Sequence, residues 1–259
     1  MKRSIAVLAV LVLLSAVSCK KSSTTTPPTV VPNGVNMNGS VNLYDDKGNA
    51  QSDKSGVKVS IHSRTNDSSF NTTTDASGAY SFVSKNYGIY DIQFEKSGIG
   101  THKLEGFTHY YVQASPWSPN VVSTVNLGTF STTTITGLTY VDNTYNGGPG
   151  MSYTISVSPD PNTNNRAYFR GFLSTDPNVS STNFSAYSAV KSLISNNANG
   201  GFTRDELITS YGFSAGQTVY LKVYGESVQS NDYFDEKAGK RIFPNLNATT
   251  VPAISFIVP

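Results

Sequence analysis

The residues with most reach for acid–base or metal chemistry are three histidines, His62, His102 and His109. His102-x-x-Glu105-x-x-x-His109 puts two imidazoles and a carboxylate in a short segment. A metal held by two histidines needs at least one more ligand converging on the same point. No helical pattern runs through this segment to place the three on one face. His62 falls at the polar phase of an alternating run and is expected in solvent. The sequence therefore predicts no metal and no cofactor.

Carboxylates occur in small groups. Asp160-Pro161-Asn162-Thr163-Asn164-Asn165 has the look of a calcium loop but lacks the glycine at position six and the glutamate at position twelve. It reads as a polar turn, as do Asp45, Asp46, Asn49 and Asp53. Asp232, Asp235 and Glu236 lie close together beside Lys237-Ala238-Gly239-Lys240, a charged hairpin and its turn. Glycoside hydrolysis would need two such groups about 5 to 10 Å apart in a cleft. No Gly-x-Ser-x-Gly elbow, P-loop or GxGxxG is present, and no cysteine is free for nucleophilic work. The chain is expected not to be an enzyme, with a hydrolase assembled from distant residues as the remaining alternative.

Aromatic side chains could instead do recognition. Tyr233 and Phe234 precede the charged turn and Phe243 follows it, in an insertion before the last strand. Loops on a rigid scaffold often carry recognition, and aromatic rings stack on sugars or partner surfaces. Tyr233, Phe234 and Phe243 are the candidate recognition loop, set against the alternative that they form a satellite core. Trp117, between Pro116 and Pro119, has the same two readings.

The N-terminus bears on location. Lys2 and Arg3 precede Ile5–Leu14, ten consecutive apolar residues. A membrane span needs about 20, whereas a run of this length fits the core of a signal peptide. Ser15-Ala16-Val17-Ser18-Cys19 follows. This resembles the lipobox of bacterial lipoproteins, with Ala16 where that family usually has leucine. The resemblance implies cleavage between Ser18 and Cys19 and a diacylglyceryl lipid on the Cys19 thiol. Cys19 is the single cysteine of the chain, so no internal disulfide can form. Residues 20–33 are rich in Ser, Thr and Pro and read as a tether. Lys20 in place of aspartate implies, by resemblance to other lipoproteins, the outer membrane. Which face of it the protein occupies is left open.

Composition sets the fold class. Of 259 residues, 15 are Tyr, 13 are Phe and only 14% are charged, with Ser, Thr, Asn and Gly throughout. That mixture favours strands joined by polar turns. Of 19 basic residues, Lys2 and Arg3 fall in the leader and Lys20 and Lys21 in the tether, leaving 15 against 17 acidic. No basic field remains to attract nucleic acid. The expectation is an all-β chain of two β-sandwich domains in tandem, residues 34–130 and 131–259, after a leader over 1–18 and a tether over 19–33.

In the first domain, Val57, Val59 and Ile61 alternate with polar residues, and Tyr90, Ile92 and Phe94 alternate with Ile89, Asp91 and Gln93. Val121–Leu127 reads as the closing strand. The stretch Thr74-Asp75-Ala76-Ser77-Gly78-Ala79-Tyr80-Ser81-Phe82, together with Gly39-Ser40-Val41, Gly56-Val57-Lys58-Val59 and Gly88-Ile89-Tyr90-Asp91-Ile92, resembles the carboxypeptidase regulatory-like domain. The resemblance implies a transthyretin-like sandwich of seven strands and is nearly silent on function. Asp75 is expected to cap the turn and Gly78 to take a positive φ.

In the second domain, Arg166–Leu173 reads as a strand with apolar groups on both faces, Val219, Leu221 and Val223 as a half-buried one, and Ile254, Phe256 and Val258 as the last. Two helical pieces are expected. Phe184, Tyr187, Val190, Leu193 and Ile194 recur at helical spacing, and Thr203-Arg204-Asp205-Glu206 is a capping box with Phe202 and Leu207 as its staple, ended by Gly212. The run Phe213–Val223 is similar to the approach to strand F in fibronectin type III domains. Phe213 and Ala215 stand where Leu and Pro are usual there, and Tyr220 falls one residue late. This implies an immunoglobulin-like sandwich.

Together these readings point to a non-catalytic, membrane-anchored envelope lipoprotein. It would be a binding or structural module with a glycan or protein partner. An accessory glycan-binding lipoprotein for polysaccharide uptake is the alternative.

Overall fold

The computed structural model describes residues 34–110 and 120–259. Ser18, Cys19, the leader, the tether and Trp117 lie outside the described residues. The described chain is all-β.

Seven strands build the first sandwich: β1 (Val35–Tyr44), β2 (Lys58–Ser63), β3 (Ser69–Thr73), β4 (Ala79–Lys85), β5 (Gly88–Lys96), β6 (Ile99–His109) and β7 (Val125–Gly128). One sheet has the order β4-β1-β7, the other β3-β2-β5-β6. The closing strand β7 runs parallel to β1, with Val41 opposite Val125 and Leu43 opposite Leu127. Alternation decides the faces. Met37, Val41 and Leu43 of β1 meet Val59, Ile61, Tyr90, Ile92 and Phe94 of the opposing sheet in one buried cluster. Each such side chain contributes roughly 1.5 to 3 kcal/mol by leaving water.

The turn before β4 forms as its residues predict. Asp75 Oδ1 accepts hydrogen bonds from the backbone N–H of Ser77 at 2.9 Å and of Ala79 at 3.0 Å. Gly78 takes φ +88°, and a Cβ there would lie 2.2 Å from Val41 O. Tyr80 and Phe82 then enter the core, their rings edge-to-face.

The second sandwich comprises β8 (Thr134–Tyr140), β9 (Thr144–Tyr145), β10 (Gly148–Ser158), β11 (Ala167–Ser174), β12 (Ala186–Tyr187), β13 (Lys191–Leu193), β14 (Ala198–Thr203), β15 (Thr218–Gly225), β16 (Tyr233–Asp235), β17 (Lys240–Ile242) and β18 (Ile254–Ile257). A sheet β14-β10-β8, with β9 on β10, faces a sheet β12-β11-β15-β18, with β13 on β11. Ile155, Val157, Phe169, Leu173, Phe202, Val219, Leu221, Val223 and Phe256 form its core. β16 and β17 pair only with each other, as a hairpin.

One of the two expected helical pieces forms. Glu206 Oε2 accepts from Thr203 N–H at 2.8 Å, while Thr203 Oγ1 accepts from Glu206 N–H at 3.2 Å, the reciprocal capping box. The helical turn Glu206–Ser210 is of π type, closed by Tyr211 N–H donating to Glu206 O.

The other expected helix is corrected. Residues 184–194 lie as the edge strands β12 and β13, paired with β11. Their helical spacing arises because they serve two different clusters. Leu193 joins the main core, whereas Phe184 and Tyr187 pack with Phe172, Tyr224 and Phe243 in a satellite cluster. A helix would put all of them on one stripe.

The two sandwiches meet in a buried, hydrogen-bonded seam. Asn231 Nδ2 donates to Gly100 O at 2.8 Å and Gly128 O at 3.1 Å, and its Oδ1 accepts from Gly128 N–H at 2.8 Å. Asn245 Nδ2 donates to Gly128 O and Gln229 O, and its Oδ1 accepts from Gly100 N–H. The approach at Gly128 is too close for a side chain, since a Cβ would sit 2.3 Å from Gln229 O. Asp46 adds a tie, accepting from the N–H and hydroxyl of Thr132.

Candidate ligand-binding groove

The seam carries the β16–β17 hairpin across to the first sandwich. There it walls one side of a groove of about 360 Å³ over the outer face of the β3-β2-β5-β6 sheet. The floor follows from strand alternation. Val59 and Ile61 point into the core, so Lys58, Ser60 and His62 point out. On β5, Asp91, Gln93 and Glu95 do the same between Tyr90, Ile92 and Phe94. β6 adds Lys103 and Glu105, and the hairpin adds Asp235 and Lys237.

Register arranges the floor in rows. Lys58 stands opposite Glu95, Ser60 opposite Gln93, and His62 opposite Asp91, while Gln93 faces Lys103 on its other side. The end rows are charged and paired. Lys58 Nζ lies 3.3 Å from Glu95 Oε2. Arg64, next to the groove, lies 2.6 Å from Asp91 Oδ1 and 2.9 Å from Glu236 Oε2. His62 contacts Ser69 Oγ at 3.0 Å and Asp67 Oδ1 at 3.3 Å. In the middle row Ser60 and Gln93 are neutral, and Lys103 beyond Gln93 is paired with Asp235. The wall is held by Lys103 Nζ against Asp235 Oδ2 at 3.0 Å and by Glu236 N–H donating to Glu105 Oε2 at 2.9 Å.

These contacts set the protonation of the groove. Burial pushes the Asp91 carboxyl up, but the Arg64 guanidinium and the Gly106 N–H outweigh it and hold the group below its ordinary value. The N–H of Ala238 and the Lys103 ammonium do the same for Asp235. Asp235 in turn raises Lys103.

The aromatic loop divides three ways. Tyr233 turns inward, its ring edge-on to His102 with centroids 6.2 Å apart and Lys103 Nζ 5.4 Å from its centre. Phe234 is 54% exposed on the hairpin's outer face. Phe243 is buried, 5.0 Å from the Phe172 ring and 4.7 Å from the Arg170 guanidinium carbon. Its assignment to a recognition loop is therefore corrected: Phe243, just after β17, is buried in the satellite cluster against Phe172 of β11.

The histidines stand apart. His102 Nδ1 meets Asn231 O at 3.0 Å, and burial pushes its pKa down. His109 is fully buried between Tyr87 and Tyr90 with Nε2 3.2 Å from Lys85 O. Glu105 faces the groove. Among the described residues no three His, Cys, Asp or Glu side chains are grouped as a metal would need.

No family model matches the chain, and no curated protein does. Three solved structures give the scale of likeness elsewhere. A Bacteroides uniformis protein provisionally named as carbohydrate binding is 12% identical, with 88% of this chain and 100% of that chain covered and a TM-score of 0.29. A DUF3823 family protein, also from Bacteroides uniformis, is 9% identical over 87% of this chain and 100% of its own, with a TM-score of 0.28. A major pilin, SpaD of Corynebacterium diphtheriae, is 14% identical over 87% and 65%, with a TM-score of 0.28. Scores this low transfer neither a ligand nor a role. The groove has to be read from its own chemistry.

Sequence reasoning missed Ser60, Gln93, Arg64 and Lys103. The outward phase of β2 and β5 was visible in their alternation. The wall was not, because Lys103 and Asp235 are 132 positions apart in the chain.

Proposed function

We propose that this protein is a non-catalytic lipoprotein of the bacterial envelope. A lipid on Cys19 anchors it to the outer membrane, and it binds a glycan in the groove between the first sandwich and the β16–β17 hairpin. The reading takes the first sandwich as carboxypeptidase regulatory-like. It takes the second as immunoglobulin-like, for which the support is its four-stranded β14-β10-β8 sheet, with β9, facing the five-stranded β12-β11-β15-β18 sheet, with β13.

The observation that carries it is the groove itself. Rigid strands present side chains with both donors and acceptors, and two sandwiches welded at Asn231 and Asn245 hold floor and wall in place. Such a surface suits a ligand rich in hydroxyl groups, since each hydroxyl both donates and accepts. Asp91 and Asp235 are held anionic, so neither serves as a general acid near neutral pH. Glu226, whose burial pushes its pKa up to about 7, is sealed from solvent.

Affinity electrophoresis through polysaccharide gels tests the groove. Ser60→Trp fills the floor and is expected to abolish retardation, whereas Phe234→Ala, on the hairpin's outer face, leaves it unchanged. Equal retardation of Ser60→Trp and the parent would discard the groove. Metabolic labelling with a fatty acid tests the anchor: label entering the parent but not Cys19→Ala is the expected result.

A further inference from the structure

Resting on that reading of the groove, we infer that it selects uncharged sugar units and rejects uronic acids and amino sugars. The argument is charge pairing. The cation–anion partners Lys58–Glu95, Lys103–Asp235 and Arg64–Asp91 lie at 3.3, 3.0 and 2.6 Å. These pairs cancel most of the field over the floor; Glu236 and Glu105 share Arg64 with Asp91, at 2.9 and 3.8 Å, so what remains is a small acidic excess whose carboxylates already have a cation beside them. A ligand carboxylate or ammonium laid on the floor would meet both signs at close range. To gain a partner it would have to break an existing pair.

The middle row supplies the complementary feature. Gln93 and Ser60 face each other across β2 and β5. Among the described residues neither side chain has a hydrogen-bond partner. A free carboxamide offers two N–H donors and a carbonyl acceptor, and the serine hydroxyl adds one of each. This is the set that two neighbouring sugar hydroxyls match without any net charge. Gln93 is the specificity-determining residue on this view. Among the described residues Lys237 is the groove lysine without a counter-ion, and it stands exposed on the hairpin turn, at the rim. Water screens it, and it cannot set the charge preference of the floor.

Calorimetry of the full chain in detergent, against neutral, uronate-bearing and glucosamine-bearing oligosaccharides, tests this at 50 and 500 mM NaCl. The expected result is binding of a neutral oligosaccharide whose affinity changes less than about twofold with salt, because no ion pair forms. Gln93→Ala weakens it about tenfold or more, consistent with loss of one or two hydrogen bonds. Gln93→Glu, which keeps the shape but removes the donors, weakens it as well, and Phe234→Ala, outside the groove, leaves it unchanged. Binding restricted to an acidic or amino oligosaccharide, falling steeply with salt yet still lost in Gln93→Ala, overturns the charge inference and leaves the groove standing. Binding indifferent to Gln93→Ala and Gln93→Glu, or no binding across the panel, overturns the groove and the inference with it.

Discussion

Arg170 Nε lies 3.1 Å from Glu226 Oε2, and both side chains are closed to solvent, at 6% and 0% exposure. Glu226 also accepts the N–H of Ser227 at 3.0 Å, and Arg170 donates to Ser188 O at 2.8 Å. Asp232 approaches Arg170 at 3.9 Å. Burial is the larger influence and pushes Glu226 up to about 7, with Arg170 pulling the other way.

The sign of the resulting pH dependence follows. Between the ordinary value of 4.5 and about 7 the folded protein keeps a proton that the unfolded chain releases. This group's contribution is therefore full below pH 4.5 and is lost as pH rises through 7. Glu226→Gln mimics the protonated form. In urea unfolding it should match the parent at pH 4.5 and exceed it by about 1 to 3 kcal/mol at pH 8. Arg170→Ala should instead destabilise by about 3 to 5 kcal/mol, more at pH 8 than at pH 5, since it strands a buried carboxylate.

The seam should behave as a cooperative joint. Asn231 sits at φ +53° and satisfies three backbone groups of the first sandwich. Asn231→Leu removes every one of these bonds and adds strain at a positive φ. A loss of about 3 kcal/mol or more is expected, from unpaired buried groups costing about 1 to 3 kcal/mol each. Unfolding should also split into two steps, measured by fluorescence and circular dichroism transitions that no longer coincide. A single coincident transition at unchanged stability would contradict the role given to Asn231.

Tyr80 contains an unused polar atom. Its hydroxyl is buried without a hydrogen-bond partner, its ring sits close over Gly39, and burial drives the phenol pKa up. Tyr80→Phe keeps the ring contacts with Phe82 and Phe94 and removes that atom. Stability is expected to rise by about 1 kcal/mol, since an unsatisfied buried group carries a penalty. Thermal unfolding reads the change.

Phe243 and Phe234 should separate cleanly. Phe243→Ala leaves a cavity among Phe172, Phe184 and Tyr187 and removes the ring beneath Arg170. It should cost about 3 to 5 kcal/mol. Phe234→Ala, on an exposed position, should stay within about 0.5 kcal/mol of the parent. Denaturant midpoints of the two variants check this.

Local chemistry was legible in the sequence where a residue acts on its immediate neighbours. Asp75 caps its own turn, Thr203 and Glu206 cap one another across three positions, and the phases of β2, β5 and β15 follow from side chains alternating across a strand. The same alternation gave the all-β character and the outward set of Lys58, Ser60, His62, Asp91, Gln93 and Glu95. Period alone cannot say which of two cores a residue serves. That is why Phe184, Tyr187 and Leu193 imitate a helix and why Phe243 looked available for a ligand. Only the tertiary structure brought Asn231 to Gly100, Asp235 to Lys103 and Glu236 to Arg64. Each of these contacts spans well over a hundred residues, and the free energy that forms them comes from burying the seam as a whole, which no local pattern records.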